Sequence, residues 1–430
     1  MIKIENLCKT FRTTEVETIA LNNVNLEVNE KEFVAIMGPS GCGKSTLLNI
    51  LGLLDNPTSG NYYLDNKEVG HLKEKDRTNV RKGNIGFVFQ SFNLIDELNV
   101  FENVELPLTY LNIPAEERKK RVTEMLSRMN ISHRAKHYPQ QLSGGQQQRV
   151  AIARTLAPEP SVLFMDEPLS NLDAKLRLEM RYELQRLHVE TGSTFVYVTH
   201  DQMEAMTLAT QICLMNNGVL QQYDAPLEVY NHPANLFAAD FVGNPSINFV
   251  EAKGWQRPEG SIELTLLDGH KAVFTPEQPL QLPQWFHRRD EELEAQAQAL
   301  KARAGESGYV EKSNKDETFR YHIARVNDED DGIHEEPMLT NEDLVLGIRP
   351  EFLSITGGGN VECEIYGAMP TGMESTVKVR IGEYLLTGVV FGSTLFTIGS
   401  KHLLDITGSS VMLFDRSSGR RITSGTLKLL

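Results

Sequence analysis

A glycine-rich segment between an apolar run and an amphipathic stretch constrains this chain most strongly. Residues 38–46 read GPSGCGKST and match the pattern G-x-x-x-x-G-K-[ST]. Residues 34–38 predict a strand that runs into this turn, and residues 47–54 predict a helix with an apolar face. A strand–turn–helix unit of this kind points backbone N–H groups at a phosphate. The sequence therefore predicts a phosphate-binding loop, and a glycine-rich turn with no ligand is the weaker alternative.

Each residue type in this loop has a chemical reason to be there. The glycines let backbone N–H groups converge on the β-phosphate of a nucleotide, Lys44 neutralises β- and γ-oxygens, and the Ser45 hydroxyl can ligate Mg²⁺. Cys42 is interpreted as a bystander, although a thiol at a helix N-terminus can be prone to alkylation. The predicted nucleotide contacts in the loop are Gly38, Ser40, Gly41, Cys42, Gly43, Lys44, Ser45 and Thr46.

Two further apolar runs, residues 162–165 and 195–198, predict buried strands that end in polar residues. In an α/β sheet, chemistry gathers at the carboxyl ends of the strands. Asp166 and Glu167 follow the first run, 122 residues after Lys44. We expect Asp166 to hold Mg²⁺ and Glu167 to polarise the attacking water, because phosphoryl transfer needs a base near the γ-phosphate.

Apolar runs alternate with amphipathic stretches over the first 240 residues, which indicates a parallel sheet flanked by helices. Helical periodicity dominates residues 101–157, and residues 115–129 are its clearest segment. The sequence thus predicts an α/β, phosphate-loop NTPase domain over residues 1–240, with a helical insert at about 90–157.

The remaining residues, 241–430, predict a smaller β-rich domain. Its β-branched, glycine-punctuated segments at 261–267, 374–380 and 384–390 predict short antiparallel strands. An insertion at about 284–343 interrupts this domain.

That insertion carries 16 acidic and 8 basic residues, so it supplies −8 of the chain's formal charge of −15. Residues 289–304 predict a helix, and residues 327–336 predict an acidic loop. A solvated insertion without chemistry is favoured over a partner-binding element.

Charge and composition exclude some classes of function. A net charge of −15 argues against wrapping nucleic acid or lying on an anionic bilayer by charge alone. The four cysteines form no close pairs, so neither a disulfide framework nor a zinc knuckle is indicated. No apolar run approaches the roughly 20 residues that span a bilayer, so we expect any membrane role to act through partner proteins.

Residues 142–146, LSGGQ, give the sequence its family resemblance, since this pentapeptide at a helix start is a hallmark of ATP-binding-cassette (ABC) ATPases. The resemblance implies that Gln90 is the Q-loop glutamine, which senses Mg²⁺ and the attacking water, and that His200 is the switch histidine, which reaches the γ-phosphate. It makes residues 170–173 the D-loop. The further nucleotide contacts that it implies are Ser143, Gly144, Gly145, Gln146 and Asp173.

In the resembled family, residues such as Ser143 and Gly145 face nucleotide bound to the opposite subunit. The resemblance therefore implies a head-to-tail homodimer with two composite ATP sites. Independently of it, Phe11 is a candidate to stack on adenine, because an aromatic face gives affinity without base-specific hydrogen bonds. Ordinary core packing of Phe11 is an equally weighted alternative.

The C-terminal two thirds of the chain resemble the ATPases of maltose and multiple-sugar importers. The matching strings are MDEPLSNLDAKLR at 165–177 and THDQMEAM at 199–206. The strings FVGNPSINF at 241–249 and GIRPE at 347–351 further resemble the small barrel-like regulatory (TOBE-like) domain of that group. The acidic insertion departs from the maltose-type pattern.

The N-terminal third instead resembles ATPases of lipoprotein-release and macrolide-efflux systems, in EVETIAL at 15–21, QSFNLI at 90–95 and NVFENV at 99–104. Natural recombination, a composite chain and plain divergence are all compatible with this two-lineage character. The Q-loop region is expected to receive the membrane subunit, so the two halves point to different partners.

These resemblances predict an ATP-binding and ATP-hydrolysing subunit of an ABC transporter, with carbohydrate import favoured because the whole C-terminal domain resembles importers. The alternatives are an ATPase of a lipoprotein-release or efflux system, and a soluble non-transport ABC ATPase of DNA repair or translation, against which the charge of −15 counts. The implied partners are a second copy and two transmembrane permease subunits, with room for an extracellular or periplasmic solute-binding protein and no nucleic acid. The implied place is peripheral, on the cytoplasmic face of the plasma membrane.

Overall fold

The computed structural model describes residues 1–12, 17–267, 269–303, 321–326, 339–355, 358–392, 394–408 and 410–430. Within them the chain forms two compact units, Met1–Pro226 and Leu227–Leu430. The predicted acidic loop at 327–336 lies outside the described residues. Within the described ranges, no helix is both long enough and apolar enough to cross a bilayer.

The first unit contains two sheets and the helices that connect their strands. Its strands are β1 (Ile2–Arg12), β2 (Glu17–Val28), β3 (Phe33–Met37), β4 (Ser59–Leu64), β5 (Lys67–Glu68), β6 (Ile85–Val88), β7 (Val162–Asp166), β8 (Thr194–Val198), β9 (Gln211–Asn216) and β10 (Val219–Asp224). Its helices are α1 (Lys44–Leu51), α2 (Glu74–Arg81), α3 (Val100–Tyr110), α4 (Ala115–Arg128), α5 (Gly144–Leu156), α6 (Ala174–Thr191) and α7 (Gln202–Leu208).

The larger sheet has the strand order β10-β9-β3-β8-β7-β6, and all of its strands except β10 run parallel. Every residue of β3 and β8 is buried, as expected for strands covered on both faces. Val198 pairs with Ile36 on one side and with Asp166 on the other. Because of this register, β3, β7 and β8 end at the same level, and their polar successors share one edge of the sheet.

A helical insert lies between β6 and β7, as predicted, and comprises α3, α4, α5 and two short 3₁₀ turns, Ser132–Arg134 and Pro139–Gln141. Asn99 and Glu102 form a reciprocal capping box at the start of α3. The fully buried Asn103 donates its amide N–H groups to the carbonyls of Ile95, Leu98 and Asn99. The string at 99–104 therefore fixes the turn that precedes α3.

The second unit is β-rich, as predicted, and contains a closed barrel of order β11-β12-β13-β21-β20-β14 and a five-stranded sheet of order β15-β19-β16-β17-β18. Its strands are β11 (Asn248–Gln256), β12 (Ile262–Leu266), β13 (His270–Pro276), β14 (Asp343–Ile348), β15 (Leu353–Ser354), β16 (Val361–Pro370), β17 (Glu374–Ile381), β18 (Tyr384–Phe391), β19 (Lys401–Ile406), β20 (Val411–Asp415) and β21 (Arg421–Leu429). The helices near it in sequence are α8 (Pro226–Asn231), α9 (Leu236–Phe241) and α10 (Leu282–Arg303).

The units divide at residue 226, whereas the sequence predicted a division at residue 240. Residues 227–240 group with the barrel because α9 places Leu236 and Ala239 in one apolar cluster with Val345 and Phe414. A local pattern of short helices cannot show which core a helix joins.

The expectation of a solvated insertion is wrong for its first part. Helix α10 begins at Leu282, seven residues before the predicted start, and packs Leu282 and Phe286 into the core of the second unit. Arg289 on the same helix is only 8% exposed and places Nη1 2.9 Å from Oδ2 of the fully buried Asp415. The insertion is thus anchored to the barrel through its first helix.

Candidate functional site

The phosphate loop connects β3 to α1 and requires glycine at two positions. Gly38 and Gly43 have φ angles of 151° and 101°. A Cβ atom would lie 2.2 Å from the Met215 carbonyl oxygen at Gly38, and 2.3 Å from the Ala20 carbonyl oxygen at Gly43. The loop backbone therefore lies close to its neighbours in a conformation that side chains rarely allow.

The ammonium group of Lys44 lies inside this loop. Its Nζ donates to the carbonyls of Gly38 at 2.9 Å and Pro39 at 2.8 Å, and the residue is 7% exposed. A positive charge is thereby fixed where the loop would cradle a phosphate. Ser40 and Gly41 are exposed and Thr46 is partly buried.

Cys42 is almost completely buried in the same loop. Burial raises the pKa of its thiol, and this outweighs the opposing effects of the Lys44 charge and of backbone hydrogen bonds. A thiol with a raised pKa is a weaker nucleophile at neutral pH. The structure thus favours the bystander interpretation over an alkylation-prone thiol.

Ser45 and Asp166 bring two oxygen ligands together at the edge of the sheet. The Ser45 hydroxyl donates to Asp166 Oδ1 at 3.2 Å. Burial raises the pKa of Asp166, and the Glu167 charge adds to this, while the Ser45 hydrogen bond and the Lys44 charge oppose it. A bound cation would favour the ionised carboxylate.

The donor set at this edge suits Mg²⁺ bound jointly by protein and phosphate. Among the described residues, no group of three or more His, Cys, Asp or Glu side chains could hold a metal. Mg²⁺ commonly takes one or two protein ligands and completes its shell with phosphate oxygens and water. A hydroxyl and a carboxylate next to a phosphate loop fit that mode.

Glu167 and His200 form a pair at the ends of β7 and β8. His200 Nδ1 lies 3.2 Å from Glu167 Oε1, and their side chains are 61% and 24% exposed. Glu167 has a φ angle of 43°, and its backbone N–H donates to the Val198 carbonyl at 3.0 Å. A non-glycine residue in this region is strained by about 1–3 kcal/mol and persists where the surroundings hold it. One carboxylate oxygen thus faces the histidine, and the other accepts no hydrogen bond from the described residues.

Gln90 joins this group through the segment that follows Glu167. Its Nε2 donates to the Ser170 hydroxyl at 3.3 Å, and the Asn171 side chain donates to the Gln90 carbonyl at 3.0 Å. The Ser170 hydroxyl in turn donates to the Glu167 carbonyl at 2.8 Å. The structure therefore links Gln90, the end of β7 and residues 170–171 by hydrogen bonds.

The LSGGQ segment is held separately, at the start of α5. Ser143 caps this helix in a reciprocal box with Gln146, and Gly145 is buried where a Cβ would lie 3.3 Å from Leu176 Cδ1. In the described part of the chain, no hydrogen bond joins residues 143–146 to the phosphate loop. Asp173 caps α6 by accepting from the Leu176 N–H at 3.0 Å.

Phe11 lies on β1 with 46% of its surface exposed, and Lys9 Nζ lies 5.0 Å from the centre of its ring. This exposure does not fit the alternative of ordinary core packing. An exposed aromatic face remains available for stacking.

The structure also shows a largely buried polar cluster that sequence reasoning did not single out. It consists of Thr199, Asp201, Glu204, Arg177 and Arg181, and it lies behind the loop that carries His200. Four of these residues lie in the importer-like strings at 165–177 and 199–206, but the resemblance assigned no role to them.

Comparison with known proteins identifies relatives of the chain. The family described as ABC transporter matches residues 21–170. The maltose/maltodextrin import ATP-binding protein MalK of Aliivibrio fischeri is 43% identical over 249 residues, 58% of this chain and 65% of that protein. The chain thus aligns with just under two thirds of the length of this MalK.

A second relative, the sn-glycerol-3-phosphate import ATP-binding protein UgpC of Yersinia enterocolitica, is 41% identical over 290 residues, 67% of this chain and 75% of that protein. A solved structure, the dimeric post-hydrolysis state of the ATP-binding cassette MJ0796 bound to ADP and Pi, aligns with 53% of this chain and 99% of that chain. Its sequence identity is 45% and its TM-score is 0.49.

Proposed function

Because the chain belongs to the ATP-binding subunits of ABC transporters, a family of ATP-hydrolysing enzymes, we propose that it energises a carbohydrate importer. The length of the alignment with an import protein is the observation that supports this proposal. The alignment with UgpC covers 290 residues, whereas the first unit has only 226, so the likeness to an import protein continues into the second unit.

ATP binding is assigned to the phosphate loop and to Lys44, whose charge is already fixed in the loop. Ser45 and Asp166, with Gln90, would hold Mg²⁺, which supplies charge neutralisation at the phosphates when bound. Their fit rests on the hydroxyl–carboxylate contact at the sheet edge.

Glu167 polarises the attacking water and takes its proton. His200 holds Oε1 of this carboxylate, which leaves Oε2 to accept from the water. Gln90 and Ser170 fix the backbone after Glu167, so the base keeps its orientation. Positioning and charge stabilisation account for most of the rate in phosphoryl transfer, and these contacts supply the positioning.

We also propose that the site is completed by a second copy of the chain. Residues 143–146 and Asp173 would contact nucleotide on the partner, as the family resemblance implies, and Ser143, Gly144 and Asp173 are exposed for such a contact. Mixing two inactive variants tests this arrangement. Lys44→Ala and Ser143→Arg should each abolish activity, while a mixed dimer regains one intact site and part of the ATPase rate.

Two transmembrane permease subunits are the proposed partners, with a solute-binding protein outside the membrane, and the chain would sit peripherally on the cytoplasmic face. The test is copurification of the chain with its permeases, followed by ATPase assays in proteoliposomes. A maltodextrin or glycerol-3-phosphate that stimulates the rate supports import. Copurification with an efflux or lipoprotein-release permease contradicts it.

A second candidate, an export or extraction system, is favoured by the N-terminal strings at 15–21, 90–95 and 99–104. Replacing residues 90–140 by the same segment of a MalK-type protein separates the candidates. If the efflux-like segment sets the partner, a maltose-type permease pair should stimulate the ATPase of the unmodified chain only weakly. The replacement should then restore this stimulation. Full stimulation of the unmodified chain by that pair would show that these strings have no functional weight.

A further inference from the structure

A buried carboxylate lies directly behind the loop that carries His200. Glu204, on α7, is 3% exposed. Its Oε2 accepts from the Tyr197 hydroxyl at 2.7 Å and from the Thr199 hydroxyl at 2.7 Å, while Arg177 Nε lies 3.9 Å from Oε1. Burial and the Glu204 charge raise the pKa of Tyr197, so this hydroxyl stays a donor. A buried carboxylate is tolerated only with such partners, and their geometry is therefore tightly fixed.

The residues on both sides of His200 are held by this cluster. Thr199 is bonded to Glu204, and its hydroxyl also accepts from the Asp201 N–H at 2.9 Å. The Asp201 side chain caps α7, and its Oδ2 lies 3.1 Å from Arg181 Nη2. The two neighbours of His200 are thus held in place by this cluster, while the His200 side chain itself is exposed.

Arg177 connects the cluster around Glu204 to the segment that follows Glu167. Its Nη2 donates to the Leu172 carbonyl at 3.1 Å, and its Nη1 lies 3.4 Å from Asp201 Oδ2. Leu172 belongs to residues 170–173, whose first member bonds to Gln90 and to the Glu167 carbonyl. One guanidinium therefore contacts the two loops that flank the Glu167–His200 pair.

We propose that Glu204 and Arg177 are positioning residues for ATP hydrolysis, which hold the 199–201 loop so that His200 meets Glu167 and which couple that loop to residues 170–173. This inference rests on the proposed roles of Glu167 and His200. Neither residue belongs to the proposed ATP contacts, and each acts through the histidine. Movement of residues 170–173 would be passed to His200 through the Arg177 guanidinium.

The test is a double-mutant cycle between Glu204 and His200 in the full-length chain. Glu204→Ala should lower kcat about tenfold and leave the KM for ATP within about twofold, because binding by the phosphate loop is untouched. In a His200→Ala background the same change should lower kcat by less than about twofold, since its effect passes through the lost imidazole. Arg177→Met should likewise lower kcat about tenfold in the wild-type background and by less than about twofold in the His200→Ala background.

Each contrary result has a distinct meaning. Equal losses from Glu204→Ala with and without His200 would overturn the positioning role alone. A wild-type rate for His200→Ala would contradict the proposed role of His200, and this inference with it. If Glu204→Ala does not fold, Glu204→Gln replaces it in the cycle, because the amide keeps an oxygen for the two hydroxyls and should lose less activity.

A matched control separates positioning from general loss of stability. Glu183 on α6 is a carboxylate with a 10% exposed side chain, whose Oε2 lies 2.8 Å from Arg149 Nη1 on α5. Glu183→Ala should lower the melting temperature without lowering kcat at a temperature where the protein is folded. A tenfold loss of kcat in this control would show that any broken ion pair gives the effect, and would overturn the inference.

Discussion

The charged groups at the sheet edge of the first unit differ in their partners from the buried charges in the core of the second unit. At the sheet edge of the first unit, Glu167 and His200 contact each other but keep exposed surface, and Lys44 Nζ donates to two loop carbonyls. In the second unit, Arg349 is 1% exposed and Asp415 is fully buried, and the chain itself supplies charged or polar partners to both. At the sheet edge the charged groups keep bonding capacity for chemistry, whereas Arg349 and Asp415 take their partners from the fold and serve stability.

Arg349 shows how the second unit supplies partners to a buried charge, although its Nε has no hydrogen bond within the described residues. Its guanidinium donates to the carbonyls of Ala239, Val242 and Tyr230, and lies 4.0 Å from the centre of the Tyr230 ring. A Cβ at Gly243 would lie 2.8 Å from Arg349 Nη1. A glycine beside the arginine therefore leaves room for the contact that joins α8 and α9 to the barrel.

The largest expected effect is on the catalytic side of this comparison. Glu167→Gln should lower kcat by about 10²–10⁴-fold, because the water loses its polarising carboxylate. ATP affinity should stay near wild type, since the phosphate loop is unchanged, and an ATP-bound dimer should accumulate. Steady-state ATPase assays, equilibrium binding and size-exclusion chromatography measure these three properties. A turnover close to wild type would place the base elsewhere.

Arg349→Met tests the structural side and should lower the unfolding free energy of the second unit by about 3 kcal/mol, because three buried carbonyls lose a charged donor. Both tryptophans, Trp255 and Trp285, lie in that unit, so tryptophan fluorescence in a denaturant titration follows it alone. ATP binding should be unchanged.

The exposed Lys401–Glu362 pair offers a control for this variant, and Lys401→Met should leave the unfolding midpoint unchanged. If Arg349→Met lost ATP binding in parallel with its stability, the claim that Arg349 serves only the stability of the second unit would be wrong.

A smaller loss of stability, about 2 kcal/mol, is expected for Arg289→Met. Asp415 loses its ionic partner but keeps hydrogen bonds from the Ser418 hydroxyl and from the N–H groups of Ser417 and Ser418. The same fluorescence titration measures the change. An unaltered midpoint would mean that Leu282 and Phe286 alone anchor α10.

The smallest effect concerns adenine. Phe11→Ala should raise the Kd for ATP about tenfold, since stacking on an aromatic ring contributes about 1–3 kcal/mol, and Phe11→Trp should retain the wild-type Kd. Fluorescent-nucleotide titration of the three proteins measures it. Unchanged affinity in Phe11→Ala would remove Phe11 from the proposed site.

The sequence by itself determined the parallel sheet and the phosphate loop of the first unit, because their signals are local, whereas it did not predict the antiparallel sheet of β1, β2, β4 and β5. The spacing of Gly38, Gly43 and Lys44 dictates a loop between strand and helix, and apolar runs that end in Asp166 or shortly before His200 dictate parallel strands. Parallel strands in register bring their carboxyl ends to one edge, so the contact of Ser45 with Asp166 follows from the pattern. The capping of α5 by Ser143 is local in the same sense.

Only the tertiary structure decided which distant groups satisfy each buried charge. Arg349 bonds to carbonyls 107–119 residues earlier in the chain, Arg289 on α10 pairs with Asp415 on β20, and Arg177 reaches the loop of His200 from α6. Periodicity reports which face of an element is apolar, but it does not report which element covers that face. For that reason the division between the units, the docking of α10 and the cluster around Glu204 became visible only when the chain was folded.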